Sequence, residues 1–335
     1  MSPDTAEMQH ETAPVNASLV DIICLCNYHG VGGAQLDAGL LVSEFARRGY
    51  RAELGFLFER EVLSRHGTDD YFVLAPRKPR GLADWWRFLV EARERLVRRR
   101  PKAIVGFFPM ANILGAVAAR LAGSCRMVAT QRNPSDQQAA AVGALEKVVG
   151  GSRLYHSNIA ISQTVASSFD AYPARYREKI EIVYNGTPPL PVSGGDREAA
   201  RARFGMPAGL VLGCLGRLHP QKNPHFALEV AARLPGVQLY LAGEGPEEQS
   251  LRARAAELGI ESDVHFLGSL NGVDVSRFYQ AIDVLLFPSI FEGFGRVLVE
   301  AMSQGTPVVA SDIAIAREVG GEAVTFRAFE PDGWV

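Results

Sequence analysis

The sequence lacks the features by which several classes of protein are recognised. No apolar run reaches the ~18 residues that a membrane-spanning helix needs, and the four cysteines form no Cys-x-x-Cys pair of the zinc-binding kind. Positive charge is not in excess either, since 35 Lys and Arg stand against 37 Asp and Glu. Nucleic acid is therefore not an expected partner, and the composition indicates a soluble globular protein.

The length of 335 residues predicts two domains. Residues 1–17 are polar and contain no apolar core segment, so they are expected to form a disordered tail rather than a signal peptide. A protein without a signal peptide is expected in the cytoplasm.

After this tail, short apolar runs rich in β-branched residues alternate with amphipathic helices. In the first half, strands are predicted at 19–26, 51–58, 71–75, 103–108, 126–131, 158–162 and 180–184, and helices at 34–48, 82–100, 111–122 and 138–149. In the second half, strands are predicted at 210–216, 237–242, 263–267, 283–287, 307–310 and 322–326, and helices at 224–234, 247–258, 275–281 and 295–304. Such alternation predicts parallel sheets covered by helices on both faces.

A linker separates the two halves. Segment 186–195 holds three prolines and three glycines, a composition typical of a connection between domains. The sequence therefore predicts two doubly wound Rossmann-like domains, at 18–187 and 188–335, that face a cleft. Because the chain ends soon after the last predicted strand, the second domain is expected either to be truncated or to lack a terminal helix that packs back on the first.

The strongest chemical signal is segment 287–310, FPSIFEGFGRVLVEAMSQGTPVVA. Glu292 precedes a Gly-Phe-Gly turn and Glu300 follows eight residues later, at most ~12 Å further along a helix axis. That distance matches the reach from a nucleotide ribose, across a diphosphate, to an attached sugar. The alternative is a capping Glu292 and a solvated Glu300, but the apolar neighbours of Glu300 favour a functional carboxylate that has a partner.

Two cations follow the first strand of the second half, in segment 213–223, GCLGRLHPQKN. Arg217 ends the strand and Lys222 follows after a short loop. Arg binds two phosphate oxygens at once and Lys supplies a point charge, and folds of this kind bind nucleotides at this end of the sheet. A loop with two solvated cations is the alternative.

A third element is the glycine-rich turn at 30–34, between a predicted strand and a predicted helix. Backbone N–H groups at Gly32 and Gly33 would be free to approach an anion. A tight turn without a ligand is an equal alternative, because the spacing fits neither common phosphate-binding motif.

Taken together, these segments resemble glycosyltransferase family 4, retaining enzymes of the GT-B fold that use nucleotide sugars. The resemblance rests on GGAQ (32–35), YNGTP (184–188), GRLHPQKNP (216–224), LAGEGP (241–246), HFLG (265–268), and the Glu-x7-Glu block with the GTPVVASD that follows it. It implies that the first domain faces the acceptor and the second holds the donor.

The resemblance also implies roles for single residues around the reacting sugar. Arg217 and Lys222 would hold the diphosphate and stabilise the departing nucleotide, and Gly33, with Gly32, would offer backbone N–H groups to the donor phosphate. Glu292 would bind hydroxyls of the transferred sugar.

The remaining donor contacts are implied in the same way. Gly293, Phe294 and Gly295 would place N–H groups around the sugar, and Glu300 would bind the ribose hydroxyls. The base would meet backbone groups of Phe266 and Leu267 in a pocket lined by Gly243.

The mechanism implied by the family is front-face displacement, in which the departing phosphate takes the acceptor proton. The sequence has no Asp-x-Asp, so no metal and no cofactor is expected beyond the nucleotide sugar itself. The favoured donor is a UDP-linked hexose or N-acetylhexosamine, and the acceptor is a hydroxyl of a glycan, a lipid-linked molecule or a small molecule.

One position departs from the family pattern. Many members carry a histidine after the fifth strand of the first domain, where this chain reads TQRNP at 130–134. Arg132 or Asn133 is expected to face the transferred sugar instead.

Two other functions and one other partner stay open at this point. A nucleotide-sugar 2-epimerase shares this architecture, and a sugar-nucleotide binder without activity would fit a shortened chain. Helix 82–100, with adjacent tryptophans and many arginines, is a candidate for peripheral contact with an anionic membrane, although an ordinary outer helix is the favoured interpretation.

Overall fold

The computed structural model describes residues 19–28, 32–59, 71–123, 125–192 and 194–335. The predicted disordered tail at 1–17 lies outside the described residues, as do the first two residues of the glycine-rich turn, Gly30 and Val31.

The first sheet is formed by the first half of the chain. Its strands are β1 (Ile22–Tyr28), β2 (Ala52–Phe58), β3 (Tyr71–Ala75), β4 (Ala103–Phe107), β5 (Arg126–Gln131), β6 (Ser157–Ala160) and β7 (Ile180–Ile182). The helices between them are α1 (Gly33–Arg47), α2 (Leu82–Arg99), α3 (Pro109–Ala122), α4 (Ala140–Gly151), α5 (Gln163–Ser167) and α6 (Ala174–Arg177). The predicted strands and helices are confirmed with small shifts at their ends, whereas the short α5 and α6 were not predicted.

The second sheet follows the linker. Its strands are β8 (Val211–Leu215), β9 (Gln238–Ala242), β10 (Val264–Gly268), β11 (Val284–Phe287), β12 (Val308–Ser311) and β13 (Thr325–Arg327). Its helices are α7 (Arg197–Phe204), α8 (Pro224–Ala231), α9 (Glu248–Glu257), α10 (Val273–Ala281), α11 (Arg296–Ser303) and α12 (Ala314–Gly320). Here α7 and α12 are the helices that sequence periodicity did not predict.

Both sheets are doubly wound. The strand order is β3-β2-β1-β4-β5-β6-β7 in the first sheet and β10-β9-β8-β11-β12-β13 in the second. The order therefore reverses between β1 and β4, and again between β8 and β11. These reversals leave crevices at the carboxyl ends of the strands, where ligands bind in such folds.

The apolar runs form central strands because both of their faces are buried. In β9, Leu239 and Leu241 belong to one hydrophobic cluster, whereas Tyr240 and Ala242 belong to the cluster on the opposite face. Successive side chains of a strand point to opposite faces, so a continuous apolar run satisfies a sheet that is covered on both sides.

The chain divides into two compact units at several points rather than at one boundary. Within the described residues, the first unit holds the chain up to Thr130 together with Ala140–Ile159 and Pro173–Lys179. The second holds Gln131–Ala139, Ala160–Tyr172 and Ile180–Val335. This division differs from the single boundary expected after residue 187, because segments that follow β5 and β6 make their contacts with the second half of the chain.

Helix α2 packs by one face and exposes the other. Phe88, Ala92 and Leu96 are buried in the core of the first unit, whereas Leu82 is 92% and Trp86 70% exposed. This is the arrangement of an outer helix on a sheet, and contact with a membrane stays a prediction. Among the described residues, no helix is both long and apolar enough to cross a bilayer.

Candidate active site

The candidate site lies where the strand order of the second sheet reverses. Strands β8 and β11 are parallel neighbours, and hydrogen bonds join the loops that follow them. The Ile290 N–H donates to the Gln221 carbonyl at 2.9 Å, and the Gln221 side-chain amide donates to the Phe291 carbonyl at 3.1 Å. These bonds bring the predicted Arg-Lys loop and the Glu-x7-Glu block together.

The centre of the site is an ion pair between these loops. Lys222 Nζ donates to Glu292 Oε1, and the Ser289 hydroxyl donates to the same oxygen at 2.8 Å. Glu292 is only 7% exposed, and a carboxylate at such a position needs partners of this kind. The alternative role of Glu292 as a helix cap is wrong, since Gly295 is the N-cap residue of α11 and no side chain caps that helix.

Arg217 stands at the open side of the same site. It follows β8 after Gly216, is exposed, and its Nη2 lies 3.5 Å from Gln221 Oε1. The guanidinium carries five N–H donors, so this weak contact leaves most of its donors available to an anion. Arg217 and Lys222 therefore differ in exposure. Lys222 is half-buried and forms an ion pair, so it is not the solvated loop residue that the alternative interpretation expects.

Glu300 lies in the second turn of α11, as predicted. The Tyr279 hydroxyl of α10 donates to Glu300 Oε2 at 2.9 Å. Burial raises the pKa of Glu300, and the hydrogen bond from Tyr279 and the positive charges of Arg296 and Lys222 only partly oppose that rise. A solvated Glu300 is thus wrong. Sequence reasoning missed Tyr279, because a tyrosine on the apolar face of a helix carries no signal beyond ordinary core packing.

Glycines make the carboxyl ends of β8, β9 and β10 approach each other closely. A Cβ at Gly243 would lie 1.9 Å from the Gly216 carbonyl oxygen, and one at Gly245 would lie 2.1 Å from that of Leu218. The Gly243 N–H donates to the Gly268 carbonyl at 2.7 Å. Gly243 also has a φ of +143°, which favours glycine. The main chains of these three strand ends are therefore in close contact next to Arg217.

Phe266 and Leu267 lie on β10, the edge strand of the second sheet. Phe266 pairs with Leu241 and Gly268 with Ala242, so the register skips Leu267. A bulge of this kind leaves the main-chain N–H and C=O of the extra residue outside the ladder. The predicted base-binding residues therefore combine an edge position with an irregular backbone.

The Gly293-Phe294-Gly295 turn is held from outside the Glu-x7-Glu block. The Ser162 hydroxyl donates to the Gly293 carbonyl at 3.0 Å, and a Cβ at Gly293 would lie 1.8 Å from the Arg132 carbonyl oxygen. Phe294 is half-buried and Gly295 buried, with Gly295 at a φ of +80°.

Arg132 is thus brought next to the turn by its main chain. Its Nη2 donates to Asn185 Oδ1 at 3.1 Å, and the neighbouring Asn133 is half-buried. The structure therefore places Arg132 in the second compact unit, beside the residue that follows Glu292.

Gly32 and Gly33 belong to the first unit. Gly32 is the N-cap of α1 with extended backbone, no side chain caps this helix, and a Cβ at Gly33 would meet no atom within 4 Å. The open first turn suits an anion. In the described part of the chain, no three His, Cys, Asp or Glu side chains form a group that could hold a metal ion.

Two family models match the chain, one in each half. The model described as Glycosyltransferase Family 4 matches residues 31–189, and the model described as Glycosyl transferases group 1 matches residues 196–333.

Two curated relatives carry the same name. The chain is 35% identical over 204 residues to the D-inositol 3-phosphate glycosyltransferase of Mycolicibacterium gilvum (strain PYR-GCK), covering 58% of this chain and 45% of that protein. It is 38% identical over 194 residues to the protein of that name from Mycobacterium sp. (strain KMS), covering 56% and 42%. The chain spans less than half the length of these relatives.

Solved structures show the same fold over nearly the whole chain. The Anabaena protein Alr3699/HepE in complex with UDP and glucose has a TM-score of 0.77 at 23% identity, covering 93% of this chain and 87% of that one. Sucrose-phosphate synthase from Thermosynechococcus elongatus has a TM-score of 0.75 at 17% identity, covering 94% and 88%. At these identities the likeness is evidence for the fold alone.

Two doubly wound sheets, with charged residues gathered at the strand reversal of the second, are the architecture of the GT-B fold. Glycosyltransferase family models match both halves of the chain, and the curated relatives above are named glycosyltransferases, which supports a chain of the glycosyltransferase family 4 type.

Proposed function

We propose that this enzyme is a retaining glycosyltransferase that moves a hexose or N-acetylhexosamine from a UDP-sugar to a hydroxyl acceptor without a metal ion. The observation that carries the proposal is the Lys222–Glu292 pair between the loops after β8 and β11. In this pair the Lys222 ammonium, which can bind a diphosphate, lies directly beside the Glu292 carboxylate, which can bind sugar hydroxyls.

The cations act on the leaving group. When the bond between the sugar C1 and the β-phosphate oxygen breaks, its electron pair stays on that oxygen, and Arg217 and Lys222 stabilise the added negative charge. Charge-assisted hydrogen bonds from Lys and Arg to phosphate are among the strongest available to a protein. Lys222 has three N–H donors, so it can serve a phosphate while it keeps its bond to Glu292.

The carboxylate acts on the sugar. Glu292 accepts hydrogen bonds from sugar hydroxyls, and the N–H groups of the 293–295 turn surround the same ring. The acceptor hydroxyl attacks C1 from the face that the phosphate leaves, and its proton passes to the departing phosphate oxygen. The configuration at C1 is thereby retained, and no enzyme nucleophile is needed.

Glu300 holds the nucleoside end of the donor. Its carboxylate binds the ribose hydroxyls. The main chain at Gly243 and the irregular edge strand at Phe266 and Leu267 bind the base. UDP is the proposed nucleotide because a protein of the same fold was crystallised with UDP and glucose. Gly32 and Gly33 are proposed to add backbone N–H groups to the donor phosphate.

The acceptor is proposed to be a hydroxyl compound that meets the transferred sugar near Arg132 and Asn133. Since the curated relatives are named for D-inositol 3-phosphate, that compound belongs in the acceptor panel beside simple glycosides and polyols. A cytoplasmic location and peripheral contact through α2 stay predictions.

The test is nucleotide release from a panel of UDP-, GDP- and ADP-sugars, with chelator present and each acceptor added in turn. We expect release from at least one UDP-sugar by the wild type, with a large loss in Arg217→Ala. Release confined to GDP- or ADP-sugars would contradict the proposed nucleotide, and a strict need for manganese or magnesium would contradict the metal-independent mechanism.

A further inference from the structure

A carboxylate outside the Glu-x7-Glu block caps a short helix near the donor loop. Glu318 of α12 accepts the N–H of Gln163 at 2.6 Å and that of Thr164 at 2.7 Å, and it also accepts the Thr164 hydroxyl. The Tyr184 hydroxyl is a further hydrogen-bond partner. Burial acts to raise the pKa of Glu318, but these hydrogen bonds outweigh it and the pKa lies below its usual value.

The residue just before this helix reaches the donor loop. Ser162 is the N-cap of α5, and its hydroxyl oxygen accepts the Val165 N–H at 3.1 Å. The same hydroxyl donates to the Gly293 carbonyl at 3.0 Å, and Ser162 is fully buried. One hydroxyl group therefore connects the cap of α5 with the residue next to Glu292.

The main chain at Gly293 is confined by two other residues as well. A Cβ at this position would overlap the Arg132 carbonyl oxygen, and the Ile161 side chain would lie 3.3 Å from it. The loop between β11 and α11 is thus packed tightly against the residues that precede α5. All of these residues belong to the second compact unit.

We propose that Ser162 and Glu318 are positioning residues that fix the main chain of the donor-sugar loop, residues 289–295. Glu318 holds the first turn of α5, α5 holds the Ser162 hydroxyl, and that hydroxyl holds the Gly293 carbonyl. The inference rests on the proposed function, because it assigns the loop to the transferred sugar.

Loss of the Ser162 hydroxyl should affect sugar transfer and nucleotide binding differently. The contacts proposed for the nucleoside come from Glu300, Gly243 and β10, and in the described part of the chain no hydrogen bond joins these to Ser162 or Glu318. Loss of the Ser162 hydroxyl should shift Glu292 relative to C1 of the sugar, and a displacement of about 1 Å can cost on the order of 100-fold in rate. The affinity for UDP, which lacks the sugar, should stay unchanged.

The experiment compares Ser162→Ala with Ser276→Ala as a matched control. Ser276 is also a buried serine of the second unit whose hydroxyl donates to a main-chain carbonyl, that of Pro191 at 2.6 Å. Measured quantities are the Kd for UDP by calorimetric titration, the kcat for hydrolysis of UDP-glucose, and Tm.

For Ser162→Ala we expect a kcat lowered roughly 10-fold or more and a UDP Kd within about two-fold of wild type. Ser276→Ala should lower Tm to a similar degree but keep the wild-type kcat. Equal kcat values for the wild type and both variants would overturn the proposal, as would a loss of UDP affinity in Ser162→Ala as large as the loss of kcat.

A second pair of variants covers the case in which Ser162→Ala does not fold. Glu318→Ala should lower kcat without changing the UDP Kd, and Glu318→Gln, which keeps one oxygen acceptor, should recover part of that loss. Wild-type kcat in a folded Glu318→Ala would overturn the proposal. Failure of the proposed function is a different result, since the wild type would then bind neither UDP nor UDP-glucose.

Discussion

Lys222 Nζ donates a hydrogen bond to Glu292 Oε1, joining the loops after two neighbouring strands of the second sheet. One residue of this pair is assigned to the leaving phosphate and the other to the transferred sugar. Because the two side chains touch, a change in one alters the charge that the other experiences. Stability and catalysis should therefore respond together at this pair, whereas at the exposed Arg217 they should respond separately.

Lys222→Ala and Arg217→Ala should lose transfer alike but differ in stability. Each removes one charge-assisted phosphate contact, so kcat/KM should fall roughly 10- to 150-fold. Lys222→Ala also leaves Glu292 buried without its cation, which should cost on the order of 3 kcal/mol of unfolding free energy. Arg217 is exposed, so its removal should change stability by less than about 0.5 kcal/mol. Denaturant unfolding beside steady-state kinetics measures both effects.

A double variant isolates the cause of the stability loss. In Lys222→Met with Glu292→Gln neither charge remains, so stability should return towards wild type while transfer stays low. If the double variant is as unstable as Lys222→Ala, the uncompensated carboxylate is not the cause.

Glu292→Gln and Glu300→Gln should show different kinetic defects. The Glu292 contact gains strength as positive charge develops on the sugar, so its loss should mainly lower kcat. The ribose contact of Glu300 is the same in the ground and transition states, so its loss should mainly raise donor KM. Glu322→Gln, at an exposed position, is the control and should leave both constants unchanged. The same defect in both active-site variants would refute this division of roles.

The Tyr279→Phe variant should change the pH dependence of donor binding. Burial holds the pKa of Glu300 above its ordinary value of 4.5, and the Tyr279 hydrogen bond opposes that rise. Only the ionised carboxylate accepts two ribose hydroxyls well, so donor KM should increase as pH falls through this pKa. Without the tyrosine hydroxyl the pKa rises further, and the increase in KM should begin at a higher pH. A KM profile that coincides with the wild type would show that Tyr279 does not act on Glu300.

Alanine substitutions at two glycines should separate a packing role from a binding role. Gly293→Ala forces a Cβ to within 1.8 Å of the Arg132 carbonyl oxygen, so both Tm and kcat should fall. Gly33→Ala meets no atom within 4 Å and should keep Tm, but its methyl group would crowd the donor phosphate and raise donor KM. Gly39→Ala in the middle of α1 has the same open surroundings and should leave KM unchanged. Wild-type donor KM in Gly33→Ala would remove the phosphate role of the glycine turn.

Much of the fold follows from local sequence patterns. Apolar runs rich in β-branched residues predicted the strands. The predicted linker at 186–195 lies between the two sheets in the sequence. The short helices α5 and α6 were not predicted, since four or five residues are too few to show a helical period. The first turn of α5 is instead held by a tertiary partner, Glu318.

The candidate site was predictable only where its residues are close in sequence. Glu292 and Glu300 share one motif, and Arg217 and Lys222 share another. By contrast, Ser162 and Gly293 are 131 positions apart, and no local pattern links a buried serine to a distant carbonyl. The contacts of segments 131–139 and 160–172 with the second half of the chain were missed for the same reason.

The anomeric configuration of the product distinguishes retention from inversion at the sugar C1. Proton NMR would follow consumption of an α-linked UDP-sugar in excess chelator, with acceptor present, and report the coupling constant of the new anomeric proton. A retaining, metal-independent enzyme should release UDP and form an α-linked product in the wild type, with strongly reduced formation in Glu292→Gln. A β-linked product, or consumption of the donor only when a divalent metal is restored, would contradict the proposed mechanism.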